Sequence, residues 1–126
     1  MPTTSGVVAI VEDDAAMRTS IERLLRASGY ATVAFGSAED FLASAAVDNT
    51  LAIVLDIHLG GMSGIGLRRH LSAAGSPIPV VFITAFDDDA TRAEAIATGC
   101  VDYLQKPFDA RRLTQALERA NKQRDE

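Results

Sequence analysis

Cysteine, tryptophan and lysine are scarce or absent in this sequence of 126 residues. Its single cysteine, Cys100, cannot form an internal disulfide, which indicates a reducing compartment. Hydrophobic residues nevertheless make up 48% of the chain. A single domain of this length can therefore bury enough apolar surface to fold without a disulfide or a structural metal.

Positive charge is also limited. The chain has 12 Lys and Arg residues against 17 Asp and Glu residues. Neutralising phosphates is what gives proteins non-specific affinity for nucleic acid, so this acidic balance argues against direct nucleic-acid binding. No apolar run approaches the roughly 18 residues that a membrane-spanning helix needs. We therefore expect a cytoplasmic protein that does not associate with membranes.

Short apolar runs alternate along the chain with stretches that have one apolar stripe at helical spacing. Several of these runs are apolar at consecutive positions, which is typical of strands buried on both faces of a parallel sheet. The predicted strands are Val7 to Val11, Tyr30 to Phe35, Leu51 to Leu55, Val80 to Ile83 and Val101 to Leu104. Five strand-helix units with short connections predict one doubly wound α/β domain covering residues 1–126, in either common strand order.

The helix boundaries are predicted from local signals. Helices begin near Ser37, Asp88 or Asp89, and Asp109, and they end near Gly29, Gly75 and Gly99. The second apolar stripe consists of Ala38, Phe41, Leu42 and Ala45, which predicts a helix that reaches Ala45.

Carboxylates collect where the strands end. Glu12, Asp13 and Asp14 follow the first strand, and Asp56 follows the third. If these two strands are neighbours, then Glu12, Asp13 and Asp56 converge at the ligand-binding edge of the sheet. Clustered carboxylates must raise a pKa, hold a counter-cation or bind a metal. Oxygen ligands with room for water favour Mg²⁺, for which Mn²⁺ can substitute. For Asp14 a helix N-cap is the favoured role.

A hydroxyl and an ammonium follow the remaining strands. Thr84 comes directly after the fourth strand, and Lys106 comes two residues after the fifth. The adjacent Pro107 permits a cis peptide bond. Carboxylates, a hydroxyl and an ammonium at one edge predict a site for a phosphoryl group, which a carboxylate can attack.

Four motifs in this order resemble those of response regulator receiver domains, and together they span nearly the whole chain. The motifs are Ile10 to Asp14, Leu55 to Gly64, Ile83 to Ala85, and Lys106 to Phe108. Two longer segments, residues 78–85 and 102–109, further resemble the FixJ-type subfamily. The resemblance implies a flavodoxin-like fold with strand order 2-1-3-4-5. Members of that subfamily commonly carry a helix-turn-helix output domain, and we expect none in these 126 residues.

The resemblance also assigns roles at the acidic site. It implies that Asp56 is the phosphoacceptor and that Asp13 is a direct Mg²⁺ ligand. Glu12 would act on the metal mainly through bound water, and the backbone carbonyl of His58 would complete the metal shell. Two isolated histidines give no ligand spacing, so only the backbone of His58 is expected to take part.

Three further residues would couple the phosphoryl group to an output surface. Thr84 and Lys106 would each bind a phosphoryl oxygen, and Tyr103 would change rotamer as Thr84 moves. The surface is expected to comprise the fourth helix, the fifth strand and the fifth helix. The expected partners are a sensor histidine kinase or phosphotransfer protein and an unidentified output partner. A phosphorylation-dependent homodimer through the same surface is one option.

Three residues depart from the usual family pattern, and two alternative functions make different demands on the sequence. Gly60 stands where the family usually has proline, Ser63 where it has Asp or Asn, and Phe86 adds a bulky ring near the site. An aspartyl-phosphate phosphatase would need an acid at position 58, which is histidine, and a cap domain. A degenerate receiver that only docks partners would not need the full set of site residues. Cys100 is expected to be an inert buried thiol.

Overall fold

A computed structural model describes residues 6–125 and has five parallel strands in one sheet. The strands are β1 Val7–Val11, β2 Thr32–Phe35, β3 Thr50–Asp56, β4 Val80–Thr84 and β5 Asp102–Gln105. Their order in the sheet is β2-β1-β3-β4-β5. All five predicted strands and the doubly wound architecture are confirmed, and the strand order is the one that the family resemblance implies.

Five α-helices follow the strands in turn. They are α1 Ala15–Ala27, α2 Ala38–Ala43, α3 Gly64–Ala73, α4 Asp89–Ala97 and α5 Ala110–Asp125. The prediction that the second helix reaches Ala45 is wrong. The α-helix ends at Ala43, because Ser44 is extended with a ψ of 160° and its hydroxyl accepts a hydrogen bond from the amide of Ala46. A 3-10 helix, Ala45–Asn49, continues the chain to β3.

The core lies in two layers, one on each face of the sheet. Side chains of α2, α3 and α4, among them Phe41, Leu67 and Ala95, cover one face. Side chains of α1 and α5, among them Leu25 and Leu117, cover the other. Successive residues of β1, β3 and β4 point alternately into the two layers. Because both faces are covered, the strands are apolar at consecutive positions.

Capping side chains fix the starts of four helices. Asp14, Ser37, Ser63 and Asp88 each accept a hydrogen bond from a backbone amide three residues on. The predicted cap role of Asp14 is thus confirmed, and Asp88 is the cap of α4 rather than Asp89. The three glycines predicted to end helices each lie two residues after a helix C-terminus. Within residues 6–125, none of the helices has the length and apolar character needed to span a bilayer.

The register of the sheet brings the strand ends to one edge. Val11 of β1 lies beside Leu55 of β3, and Asp56 lies beside Ile83 of β4. At the far side, Thr84 of β4 lies beside Gln105 of β5. The polar residues that end or follow β1, β3, β4 and β5 therefore share one edge, as predicted.

Candidate functional site

Three carboxylates meet at the ends of β1 and β3. Glu12, Asp13 and Asp56 each offer an oxygen, and these oxygens all lie within 4.8 Å of one another. Glu12 and Asp56 are buried, whereas Asp13 is exposed. The convergence that was predicted on condition that β1 and β3 are neighbours is confirmed. We call these three residues and Lys106 the acidic pocket.

Local hydrogen bonds hold the buried carboxylates in place. Glu12 accepts from the amide of Asp14 at 3.1 Å, and its backbone carbonyl accepts from the Arg18 guanidinium at 2.8 Å. Asp56 Oδ1 accepts from the amide of His58 at 3.1 Å. The loops after β1 and β3 therefore orient both side chains toward the common edge.

Lys106 supplies the positive charge of the pocket. Its Nζ lies 2.5 Å from Glu12 Oε1 and 3.5 Å from Asp56 Oδ2. The Lys106–Pro107 peptide bond is cis, in line with the expectation for this proline. Burial by itself would lower the pKa of Lys106, but the bonds to Glu12 and Asp56 outweigh it and raise that pKa above its usual value.

The pKa of the buried Glu12 is raised above its usual value. Burial raises the pKa of Glu12, and the neighbouring charge of Asp56 raises it further, while the bond from Lys106 lowers it. One ammonium faces three carboxylates, so the pocket has an excess of negative charge that a cation would relieve. The donors are all oxygens, and Asp13 faces solvent. This set fits a hard divalent cation such as Mg²⁺, which keeps part of its water shell.

Thr84, the last residue of β4, is fully buried. Its hydroxyl donates to the carbonyl of Phe86 at 2.9 Å and accepts from the amide of the same residue at 3.0 Å. The hydroxyl therefore both donates and accepts a hydrogen bond within the loop that follows β4. We refer to Thr84 and Tyr103, the two residues predicted to move together on phosphorylation, as the switch pair.

Tyr103 in β5 is held by Asp87, in the loop before α4, and by Arg92, in the first turn of α4. Its hydroxyl donates to Asp87 Oδ1 at 3.1 Å. The Arg92 guanidinium donates to both carboxylate oxygens of Asp87, and its central carbon lies 5.7 Å from the centre of the Tyr103 ring. Burial and the bond to Asp87 raise the pKa of the Tyr103 phenol. The carboxylate, the guanidinium and the phenol form one connected group.

Sequence reasoning did not predict this role of Asp87 and Arg92. Asp88 caps α4 and Asp89 lies in its first turn, so both belong to the helix start that the sequence predicts, whereas Asp87 does not. The two residues are five apart, outside the spacing of three or four that pairs side chains on a helix. No sequence signal indicates the contact, because Asp87 lies in the loop before α4.

Two rings meet at the rim of the acidic pocket. The rings of His58 and Phe86 are 5.5 Å apart at an interplanar angle of 86°, and Phe86 is 69% exposed. His58 itself is exposed. Cys100 is half-buried rather than buried as expected, and this burial raises the pKa of its thiol.

The comparisons with known proteins agree with this geometry. The family model of the response regulator receiver domain matches residues 8–118. Nodulation protein W of Bradyrhizobium diazoefficiens is 40% identical over 126 residues, which cover 97% of this chain and 56% of that protein. Transcriptional regulatory protein FixJ of the same organism is 36% identical over 121 residues, which cover 96% of this chain and 59% of that protein. The chain therefore spans little more than half the length of these relatives.

Solved structures give the same result. The crystal structure of FixJ-N aligns with a TM-score of 0.86 at 35% identity, covering 97% of this chain and 96% of that one. A structure of the response regulator StyR aligns with a TM-score of 0.86 at 35% identity, covering 94% of this chain and 60% of that one. With the fold, the family match and these relatives in agreement, the chain belongs to the response regulator receiver domains of two-component signalling and is of the FixJ type.

Proposed function

We propose that Asp56 accepts a phosphoryl group from a phosphohistidine of a sensor histidine kinase or phosphotransfer protein, in a reaction that depends on Mg²⁺. The observation that carries this proposal is the convergence of Glu12, Asp13, Asp56 and Lys106 at the carboxyl edge of β1 and β3. The whole chain acts as a single receiver domain in the cytoplasm.

In this reaction a carboxylate oxygen of Asp56 forms a bond to phosphorus as the bond from phosphorus to the histidine nitrogen breaks. The bonding electrons return to the imidazole, which remains on the partner protein. Mg²⁺, when bound, neutralises charge on the phosphoryl oxygens. Asp13, Asp56 and the carbonyl of His58 would hold it directly, with Glu12 acting through water. Mn²⁺ would serve in its place.

Of the two buried carboxylates, Asp56 is the better suited to the attack, while the exposed Asp13 is proposed to hold the metal. Glu12 is engaged by Lys106 at 2.5 Å and by the amide of Asp14. Asp56 has only the longer contact of 3.5 Å to Lys106, together with one bond from His58 to its other oxygen. Oδ2 of Asp56 is thus the less strongly engaged of its two oxygens. After transfer, the ammonium of Lys106 is close enough to pair with a phosphoryl oxygen.

Phosphorylation would then act on the switch pair. A phosphoryl oxygen competes with Phe86 for the hydroxyl of Thr84, and movement of Thr84 changes the space available to the ring of Tyr103. The affected surface is formed by α4, β5 and α5. We propose that this surface contacts the output partner or a second phosphorylated copy of the chain, and that the domain does not itself bind nucleic acid.

The domain is a phosphoacceptor that assists its own phosphorylation and dephosphorylation rather than an enzyme acting on many substrate molecules. The phosphatase alternative lacks an acid at position 58, where the ring of His58 instead contacts Phe86. A receiver that only docks partners would leave the acidic pocket without a use. These three functions differ in what happens to a small phosphodonor.

The test is labelling by acetyl phosphate, followed by mass spectrometry of the intact protein. The wild-type protein should gain one phosphoryl group when Mg²⁺ is present and none in EDTA. Asp56→Asn should remain unlabelled, whereas Asp14→Asn, which alters the cap of α1 outside the pocket, should be labelled like the wild type. Undiminished labelling of Asp56→Asn, or continued release of phosphate in place of stable labelling, would contradict the proposal.

A further inference from the structure

The loop between β3 and α3, residues 57–63, has two consecutive glycines. Gly60 stands where receiver domains usually have proline, and Gly61 follows it with a φ of 72°. Glycine allows more backbone conformations than any other residue, so such a loop is costly to order. The same loop carries His58, whose carbonyl belongs to the proposed metal shell.

Both ends of this loop are fixed locally. The amide of Gly64 donates to the carbonyl of Ile57 at 3.0 Å, which closes the base of the loop. The side chains of Leu59 and Met62 pack against the core layer that α2 and α3 share. Between these anchors, the backbone around the two glycines needs a further partner to be held in one conformation.

Glu39, in the first turn of α2, provides that partner. Its Oε2 accepts a hydrogen bond at 2.8 Å from the amide of Met62, which lies 23 residues further along the chain. A Cβ atom added to Gly61 would lie 2.6 Å from the same oxygen. The carboxylate therefore contacts the peptide group that joins Gly61 to Met62. In the described part of the chain, His58 also donates to Asp56 at the end of β3, and the bond to Glu39 is the one side-chain hydrogen bond that reaches residues 58–62 from an element other than β3 and α3.

We propose that Glu39 is a positioning residue for the acidic pocket, fixing the β3–α3 loop so that the His58 carbonyl is in place before Mg²⁺ binds. This inference rests on the proposed function of the pocket. If the loop were free, binding the metal would also have to order two glycines, and the affinity would fall by that cost. The hydrogen bond from Met62 lowers the pKa of Glu39, so its carboxylate is charged at neutral pH.

A role confined to α2 is the competing explanation, because an acid in the first turn also favours the helix dipole. Asp40 separates the two explanations. It lies next to Glu39 in the same first turn and is also exposed, and its carboxylate accepts no hydrogen bond among the described residues. Glu39→Ala and Asp40→Ala therefore remove the same charge from the same helix, but only the first releases the loop.

Three variants, Glu39→Ala, Glu39→Gln and Asp40→Ala, test the inference by two measurements. Hydrogen exchange of the Met62 amide without Mg²⁺ reports the loop itself. Calorimetric titration with Mg²⁺ reports the affinity of the pocket. Loss of a hydrogen bond to a charged acceptor should speed Met62 exchange about tenfold and weaken Mg²⁺ binding about threefold to fivefold in Glu39→Ala. Asp40→Ala should stay within about twofold of the wild type in both.

Glu39→Gln keeps an oxygen that can accept from Met62 and should restore most of the Met62 protection and of the affinity. Equal Mg²⁺ affinities for Glu39→Ala and Asp40→Ala would overturn the role of Glu39 while leaving the proposed function intact. A wild-type protein that binds no Mg²⁺ would overturn both. Unchanged exchange at Met62 in Glu39→Ala would contradict the tether directly.

Discussion

The acidic pocket lies at the carboxyl edge of the sheet, whereas the switch pair joins Thr84 at that edge to Tyr103 inside β5, where Tyr103 lies beside Phe82. The two regions also differ in how their side chains are engaged. In the pocket, Lys106 already contacts Glu12 and Asp56. In the switch pair, the hydroxyl of Thr84 bonds to Phe86, and the hydroxyl of Tyr103 bonds to Asp87.

This difference separates the residues proposed to take part in phosphoryl transfer from those proposed to transmit its effect to the surface. We expect the pocket to accept a cation and a phosphoryl group with its groups where they are, because strand ends and short loops fix them. Under the proposed function, the switch pair would have to exchange its hydrogen-bond partners before the surface of α4, β5 and α5 could change. Such an exchange between two sets of partners is what makes a two-state element. Five predictions test this contrast, in order of decreasing effect.

Asp13→Asn should weaken cation binding in the acidic pocket without affecting the switch pair. The exposed carboxylate of Asp13 is the charge of the pocket that no lysine neutralises in the described structure. Its removal should weaken Mg²⁺ binding about tenfold or more, measured by calorimetry. Asp14→Asn is the control, since this neighbour caps α1 instead. Unchanged affinity in Asp13→Asn would refute the assignment of the pocket.

Lys106→Ala should uncouple the switch pair from the acidic pocket. The fold should persist, because a bound cation or a proton on Glu12 can replace the ammonium among the carboxylates. After phosphorylation, however, no ammonium would draw the phosphoryl group into the position that reaches Thr84. Amide shifts in α4 and α5 on phosphorylation should be lost. Shifts identical to those of the wild type would show that Lys106 does not couple the two regions.

Asp87→Ala should release Tyr103 in the unphosphorylated protein. It removes the acceptor of the Tyr103 hydroxyl and the partner of Arg92 together. The population with Tyr103 in its alternative rotamer should rise about fivefold, seen as movement of α4 and β5 amide signals toward their phosphorylated positions. Asp89→Ala removes a nearby charge at the start of α4 and should leave the signals unmoved. If the two variants behave alike, Asp87 does not restrain Tyr103.

Phe86→Ala should shorten the life of the phosphorylated state. Hydrolysis needs a water in line with the bond from Asp56 to phosphorus. We expect the exposed ring of Phe86, which meets the ring of His58, to obstruct that approach while offering no hydrogen bond to the water. Loss of the phosphoryl group should accelerate about threefold, followed by mass spectrometry. His58→Ala should have a smaller effect. Decay that is unchanged or slower in Phe86→Ala would show that the ring does not shield the site.

Asp88→Asn should have the smallest effect and should depend on pH. Hydrogen bonds from the amide and hydroxyl of Thr91 lower the pKa of Asp88 below its usual 3.8. An acid with a lowered pKa in the folded state adds stability above its unfolded pKa, and this is lost as the pH falls through the folded value. The variant should melt about one degree lower at pH 7. The difference should shrink steadily below pH 3.8, and a constant difference would contradict this account.

Local patterns were sufficient for most of the architecture and for the members of the acidic pocket. Runs of consecutive apolar residues predicted strands buried on both faces, and the sheet confirmed all five. Short side-chain acceptors such as Ser37 and Asp88 marked helix starts because capping involves residues only three apart. Parallel strands bring their carboxyl ends to one edge, so residues at the ends of neighbouring strands are brought close together, and the local bonds of the following loops then orient their side chains.

The tertiary structure alone decided the contacts that loop residues make with distant parts of the chain. Glu39 meets Met62 across 23 residues, Asp87 meets Tyr103 across 16, and the ring of His58 meets that of Phe86. The end of α2 at Ala43 belongs with them, because the apolar stripe continues to Ala45 and gives no sign of the turn at Ser44. Periodicity fixes which face of a strand or helix is buried. It carries no information on the path of a loop or the rotamer of a polar side chain, which the packing of the whole chain determines.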